Sequence, residues 1–329
     1  MLRFTRRALL CATLAAFPAA AETPKFGPEL QGFHYPYPLQ QFSFTSQGQP
    51  LKMGYMDVPP EGAANGRTAL LLHGKNFCAA TFKALSKAGY RVIAPDQIGF
   101  CSSTKPAHYQ YSFQQLAQNT HGLLQNLKIS KAIIIGHSTG GMLATRYSLM
   151  YPQAVERLVM VNPIGLEDWK AKGVPWRSVD QWFARELNTT AEGIRNYEQR
   201  TYYGGRWKPE YDRWVDMLAG LNNGPGHRLV AWNSALIYDM IFTQPVYYEF
   251  KDLQTPTTLM IGTADTTAIG SDIAPPAVKA RIGHYAELGK QAAKLIPHAT
   301  LIEFAGLGHA PQMEEPERFH QALLKALQP

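Results

Sequence analysis

Very little in this 329-residue chain is repetitive, strongly charged or rich in cysteine, and each shortage narrows its function. No internal repeat or low-complexity segment is visible, which sets aside solenoids and arrays. The formal charge is +7, but Arg3, Arg6 and Arg7 account for three of the cations; the remainder carries 29 basic and 25 acidic residues, a net +4. These charges are dispersed, and no basic run of the kind that tracks phosphates occurs, so nucleic acid is not an expected partner. Beyond the first residues no apolar stretch approaches the length of a membrane span. No group of histidines, cysteines and carboxylates shows metal-ligand spacing, so neither a metal nor an organic cofactor is expected.

The three cysteines are Cys11, Cys78 and Cys101. The first lies in a segment that reads as a secretory signal peptide, residues 1–21. Three arginines precede an apolar stretch from Ala8 to Ala16, and Ala19-Ala20-Ala21 offers an A-x-A cleavage site. Thr5-Arg6-Arg7 hints at twin-arginine export. The expected location is therefore periplasmic or secreted. Two cysteines remain after processing, and an even pair in an exported protein raises the prospect of a disulfide.

The rest alternates between two periodicities. A hairpin is expected from the alternating segments 40–47 and 51–58. Short apolar runs follow at 69–72, 92–94, 132–135, 158–161, 258–261 and 300–302, read as strands buried on both faces. Helical patterns near 79–88, 112–127, 141–151, 283–295 and 316–327 separate them. This alternation implies an α/β fold, a doubly wound, mostly parallel sheet. The region 167–250 lacks a convincing buried strand, yet holds all six tryptophans and many tyrosines. It reads as a helical cap inserted between two parts of a core, 22–166 and 251–329. Most of its rings are expected to pack cap against core and about a third to line a pocket, which suits an apolar or amphipathic small-molecule substrate. The loop 266–281, with Pro275-Pro276, reads as an extra surface loop.

The chemistry starts at Gly136-His137-Ser138-Thr139-Gly140. A G-x-S-x-G pentapeptide alone is weak, but this one follows the buried run Ala132-Ile133-Ile134-Ile135 and precedes a helical pattern. In that strand–turn–helix context a serine is forced onto a tight elbow with its hydroxyl exposed.

Taken with four further motifs in chain order, the sequence resembles the α/β-hydrolase fold superfamily, in its branch with a helical cap after the sixth strand. The motifs are Leu72-His73-Gly74, Pro95-Asp96-Gln97-Ile98-Gly99, Ile261-Gly262-Thr263-Ala264-Asp265 and Gly308-His309. The resemblance covers nearly the whole chain after residue 21. It implies a triad of Ser138 as nucleophile, His309 as base and Asp265 as acid. Asp168 and Glu167, just past the preceding strand, are rival acids, and Asp272 is more distant. His73 and His137 flank the site and read as packing or turn residues. The resemblance further implies an oxyanion hole from the backbone N–H groups of Lys75 and Thr139. The side chains of Lys75 and Asn76 at the rim either orient a polar part of the substrate or face solvent. It also makes the loops bearing Cys78 and Cys101 neighbours, so that a bridge between them would brace the oxyanion loop.

The expected activity is an exported serine hydrolase cleaving a carboxylic ester or lactone through an acyl-enzyme. Amide or iminopeptidase activity, carbon–carbon bond hydrolysis and cofactor-free perhydrolysis use the same triad and stay open. Epoxide and haloalkane hydrolysis on this fold use an aspartate nucleophile, against which Ser138 argues. A hydrolase-like binding protein without turnover is the reading from a different class.

Overall fold

The computed structural model describes residues 24–78 and 83–328. The signal-peptide segment, Cys11 and the start of the helix expected at 79–88 lie outside the described residues.

Eight strands form one sheet: β1 (Leu39–Ser46), β2 (Gln49–Val58), β3 (Thr68–Leu72), β4 (Arg91–Pro95), β5 (Ala132–His137), β6 (Val155–Val161), β7 (Thr257–Gly262) and β8 (Ala299–Phe304), in spatial order β1-β2-β4-β3-β5-β6-β7-β8. The hairpin β1–β2 is antiparallel, and β2 runs antiparallel to β4. All other neighbours are parallel. Among the described residues eleven α-helices accompany them. α1 (Lys83–Lys87), α2 (Phe113–Asn126) and α3 (Thr139–Met150) alternate with the early strands. α4 (Val179–Leu187), α5 (Ala191–Thr201), α6 (Asp212–Asn222) and α7 (His227–Thr243) fall between β6 and β7. α8 (Pro276–Lys279) and α9 (Tyr285–Leu295) precede β8, and α10 (Pro311–Glu314) and α11 (Pro316–Ala326) follow it.

The alternation of side chains along a strand explains why this sheet needs helices on both faces. Leu70, Ile134, Leu158 and Leu259 enter one core, with α2, α3 and α9. Their chain neighbours Leu71, Ile133, Val159 and Met260 enter the other, against Leu85 of α1 and Phe319 and Leu323 of α11. Every residue of β5 is buried, whereas β1, at the sheet edge, is mostly exposed. Local chemistry sets the helix ends: Ser112 caps α2 by accepting from Gln115 N–H at 3.0 Å. The segment 266–281, expected as an extra surface loop, contains a short helix, α8. No helix among the described residues is long and apolar enough to cross a membrane.

Candidate active site

Parallel strands direct their carboxyl ends to one edge of the sheet, and the loops leaving those ends build the site. Ser138 stands between β5 and α3 with φ 57° and ψ −122°. A non-glycine residue in that region is strained, and the surrounding chain must hold it there. The glycines on either side are what crowding demands. A Cβ on Gly136 would strike the Gly140 backbone, and one on Gly140 would strike the carbonyls of Leu72 and His73.

The loop after β8 carries His309, and the loop after β7 carries Asp265. Ser138 Oγ–H donates to His309 Nε2 at 2.8 Å, and His309 Nδ1–H donates to Asp265 Oδ2 at 2.6 Å. The three residues are 4 %, 0 % and 1 % exposed, so this chain of hydrogen bonds is shielded from water, where it is electrostatically stronger. Asp265 is held by two further donors, Asn162 Nδ2 at 2.9 Å and Thr267 N–H at 2.8 Å. Asn162 was missed from sequence. It follows β6 at φ 37°, and its Oδ1 accepts from Gly262 N–H, so one amide fixes both the acid and the end of its strand. Glu314, also unforeseen, accepts from Gly308 N–H at 2.5 Å and anchors the histidine loop. Tyr202 lays its ring 4.6 Å from the imidazole of His309.

The rival acids are engaged elsewhere. Asp168 accepts from Tyr248 OH and from the Lys170 and Ala171 amides. Glu167 pairs with Lys172 and accepts from Gly283 N–H, and Asp272 pairs with Arg177. His137 donates Nε2–H to the His309 carbonyl at 2.8 Å. Burial, with His309 nearby, drives its pKa down to about 3, so it stays neutral. His73 donates Nδ1–H to Gly74 O and accepts Gln97 N–H on Nε2, tying the loops after β3 and β4 together; burial lowers its pKa.

Among the described residues, no acceptor meets the N–H of Lys75 or of Thr139, and both residues line the small chamber beside Ser138. Two unmatched donors beside a serine–histidine pair are suited to an oxyanion. Cys78 and Cys101 form a disulfide with Cα atoms 6.3 Å apart, joining the loops after β3 and β4. Asp96 lies close to both sulfurs, but they are bonded to each other, and its carboxylate accepts from Tyr35 OH and from Ser102. Replacing both cysteines by serine is expected to lower stability by about 3 kcal/mol, the chain-entropy value for a loop of this length. Urea unfolding would measure it. An unchanged midpoint would mean the bridge constrains little.

A larger cavity of about 320 Å³ adjoins the chamber, with Lys75, Asn76, Tyr197 and Tyr238 lining both. Tyr197, Tyr202 and Tyr238 of the region 167–250, with Phe100 of the core, supply the aromatic lining of these two cavities, and none of the six tryptophans lines either. The indoles pack instead, as Trp182 stacks on Tyr238 at 4.6 Å, while Trp176 is exposed.

The sequence profile of the alpha/beta hydrolase fold matches residues 65–316. The chain belongs to the alpha/beta hydrolase fold family. A crystal structure of a probable hydrolytic enzyme from Pseudomonas aeruginosa PAO1 is 65% identical to this alpha/beta hydrolase, with a TM-score of 0.92, covering 93% of this chain and 99% of that one. A haloalkane dehalogenase from Mycolicibacterium paratuberculosis is 31% identical over 134 residues, which are 39% of this chain and 44% of that protein. A 2-hydroxymuconate semialdehyde hydrolase from Pseudomonas putida is 36% identical over 108 residues, 31% of this chain and 38% of that protein. The chain thus spans less than half the length of these curated relatives.

Proposed function

We propose that this alpha/beta hydrolase is an exported serine hydrolase that cleaves a carboxylic ester or lactone. The observation that carries the reading is the buried hydrogen-bonded series Ser138–His309–Asp265 beside two unmatched amides. A serine hydroxyl is barely acidic near neutrality and needs a base in contact. His309 Nε2 takes the proton as Ser138 Oγ attacks the carbonyl carbon. Asp265 keeps the imidazole in the tautomer that accepts at Nε2 and stabilises the imidazolium that forms. The Lys75 and Thr139 amides receive the oxyanion, a contribution of about 3 kcal/mol per donor where one has been removed in other enzymes. Imidazolium then protonates the leaving alkoxide, and a water activated by His309 releases the acid from Ser138.

The same atoms weigh against halide displacement. Attack of a serine on a haloalkane would leave an ether, which water does not cleave, whereas an ester on serine turns over. Carbon–carbon bond hydrolysis is the second reading, and the matched stretch of the P. putida semialdehyde hydrolase favours it. Export rests on the arginine-led apolar segment, and a disulfide linking Cys78 and Cys101 suits an oxidising compartment.

A fluorophosphonate probe is expected to label the wild type covalently, and Ser138→Ala is expected to abolish the labelling. A folded wild type that fails to react would sink the serine mechanism.

A further inference from the structure

The cavity beyond the Ser138 chamber carries an unbalanced charge. Its lining includes three cationic side chains, Lys75, Lys105 and Arg185, against a single carboxylate, Glu186. Lys75 is the paired cation: its Nζ lies 3.3 Å from Glu186 Oε2 and 4.1 Å from the Tyr238 ring centre. Glu186 is further engaged by Ser234 Oγ–H at 2.5 Å. The other two cations have no such partner. Lys105 is only 5 % exposed, yet its ammonium donates to the carbonyls of Cys101 and Ser103 and to no carboxylate among the described residues. Arg185 stands at the exposed rim of the cavity, over the rings of Tyr238 and Trp182, again without a carboxylate in ion-pair contact among the described residues. Away from these charges the walls are mixed: an apolar stretch of Ile194, Leu221 and Ile237 lies beside uncharged polar residues such as Asn188 and Thr190.

A buried ammonium satisfied only by carbonyls is costly, because two neutral dipoles do not replace a counter-ion. Burial pulls the Lys105 pKa down to about 7, and Asp96 and Glu29 offset that only in part. An arriving anion would restore its full charge. A partly apolar cavity with surplus cations in its wall, sharing Lys75 with the reaction chamber, suits a molecule with a hydrocarbon body carrying an acid group.

We propose that this cavity is an acid-recognising subsite, so that the preferred substrate is an ester bearing a free carboxylate several atoms from the scissile carbonyl, received by Lys105 and Arg185. This inference rests on the ester-hydrolase reading above and adds the substrate's charge.

The test pairs turnover with binding. Mono-ethyl esters of linear diacids, and acetate esters of ω-hydroxy acids, are each compared with the neutral ester of the same length. At one length or more, the acid-bearing ester is expected to exceed its neutral counterpart by about tenfold in kcat/KM, the size of one charge-assisted hydrogen bond. Arg185→Gln and Lys105→Met are expected to reduce that ratio toward unity. Arg185 lies at the rim, so its variant serves even where loss of Lys105 unsettles the Cys101 loop. In calorimetry Ser138→Ala should bind the acid-bearing ester more tightly than the neutral one. Neutral esters that are turned over equally well or better at every length in both series overturn the subsite and leave the ester reading standing. Tight binding of the acid-bearing ester by Ser138→Ala without any turnover by the wild type supports the subsite and removes the ester reading.

Discussion

Replacing His309 by alanine is expected to lower kcat on the best ester by about 10⁶-fold, and Asp265→Asn by about 10⁴-fold, the losses seen when members of such a triad act as a unit. The reasoning follows from the geometry. Without the imidazole, Ser138 has no other base within hydrogen-bond distance among the described residues, and His137 is committed to the His309 carbonyl and kept neutral by burial. With asparagine at 265, the amide offers a donor where the imidazole N–H also donates, and the ring is pushed toward the wrong tautomer. Because the groups act on one step, the double variant Ser138→Ala/His309→Ala should be no slower than either single variant. Single-turnover kinetics would check this, with circular dichroism confirming that each variant is folded. Additive losses would show that serine and histidine serve separate steps. Retention of activity in Asp265→Asn together with its loss in Glu167→Gln would move the acid to the preceding loop, even though Glu167 is bound there to Lys172 and Gly283.

The parts of this arrangement that depend on local pattern were legible in the sequence. The run Ala132 to Ile135 can only be a buried strand between flanking helices, and glycines two positions either side of a serine mark an elbow whose neighbours must lack side chains. The helical patterns followed from periodicity, and α2 and α9 fall within the expected segments 112–127 and 283–295. What depends on distant segments meeting was legible only where the family resemblance implied it, as for Ser138, Asp265 and His309 and for the two cysteine loops. Asn162 carries no motif; it matters because β6 and β7 are neighbours in the sheet and bring its amide to Asp265. Glu314 matters because a short helix folds back on the histidine loop. The cavity's charge is assembled from Lys75 after β3, Lys105 after β4 and Arg185 on α4, and no window of sequence contains all three. Which of the aromatic rings line the cavities was not legible for a related reason. Tryptophan density predicts a large apolar surface but not which side of it faces a ligand, and here the indoles consolidate the helices while tyrosines line the space between them.

One buried acid in those helices should make stability depend on pH. Glu198, on α5, is fully buried, and neither of its carboxyl oxygens has a hydrogen-bond partner among the described residues. Burial pushes its pKa up to about 8, with Arg195 opposing only in part. The folded state therefore holds this proton where the unfolded chain, with an ordinary value near 4.5, releases it. The stabilisation is fully present below about pH 4.5 and gone above about pH 8, declining between them by about 1.4 kcal/mol as the pH rises by one. Lys105 works in the opposite sense: its lowered pKa makes the folded state gain on the unfolded one as the pH rises above about 7. The wild-type curve alone thus mixes two trends, and the informative quantity is the difference between wild type and Glu198→Gln. Glutamine keeps the shape of the neutral acid and cannot ionise. Its melting temperature relative to wild type is expected to climb steadily from acid to alkaline conditions, and the variant should be the more stable protein above about pH 8 by a few kcal/mol. Thermal melts across that range would measure it. A difference that does not change with pH would mean that Glu198 is ionised in the folded protein at neutrality, with its charge met by solvent or by a cation.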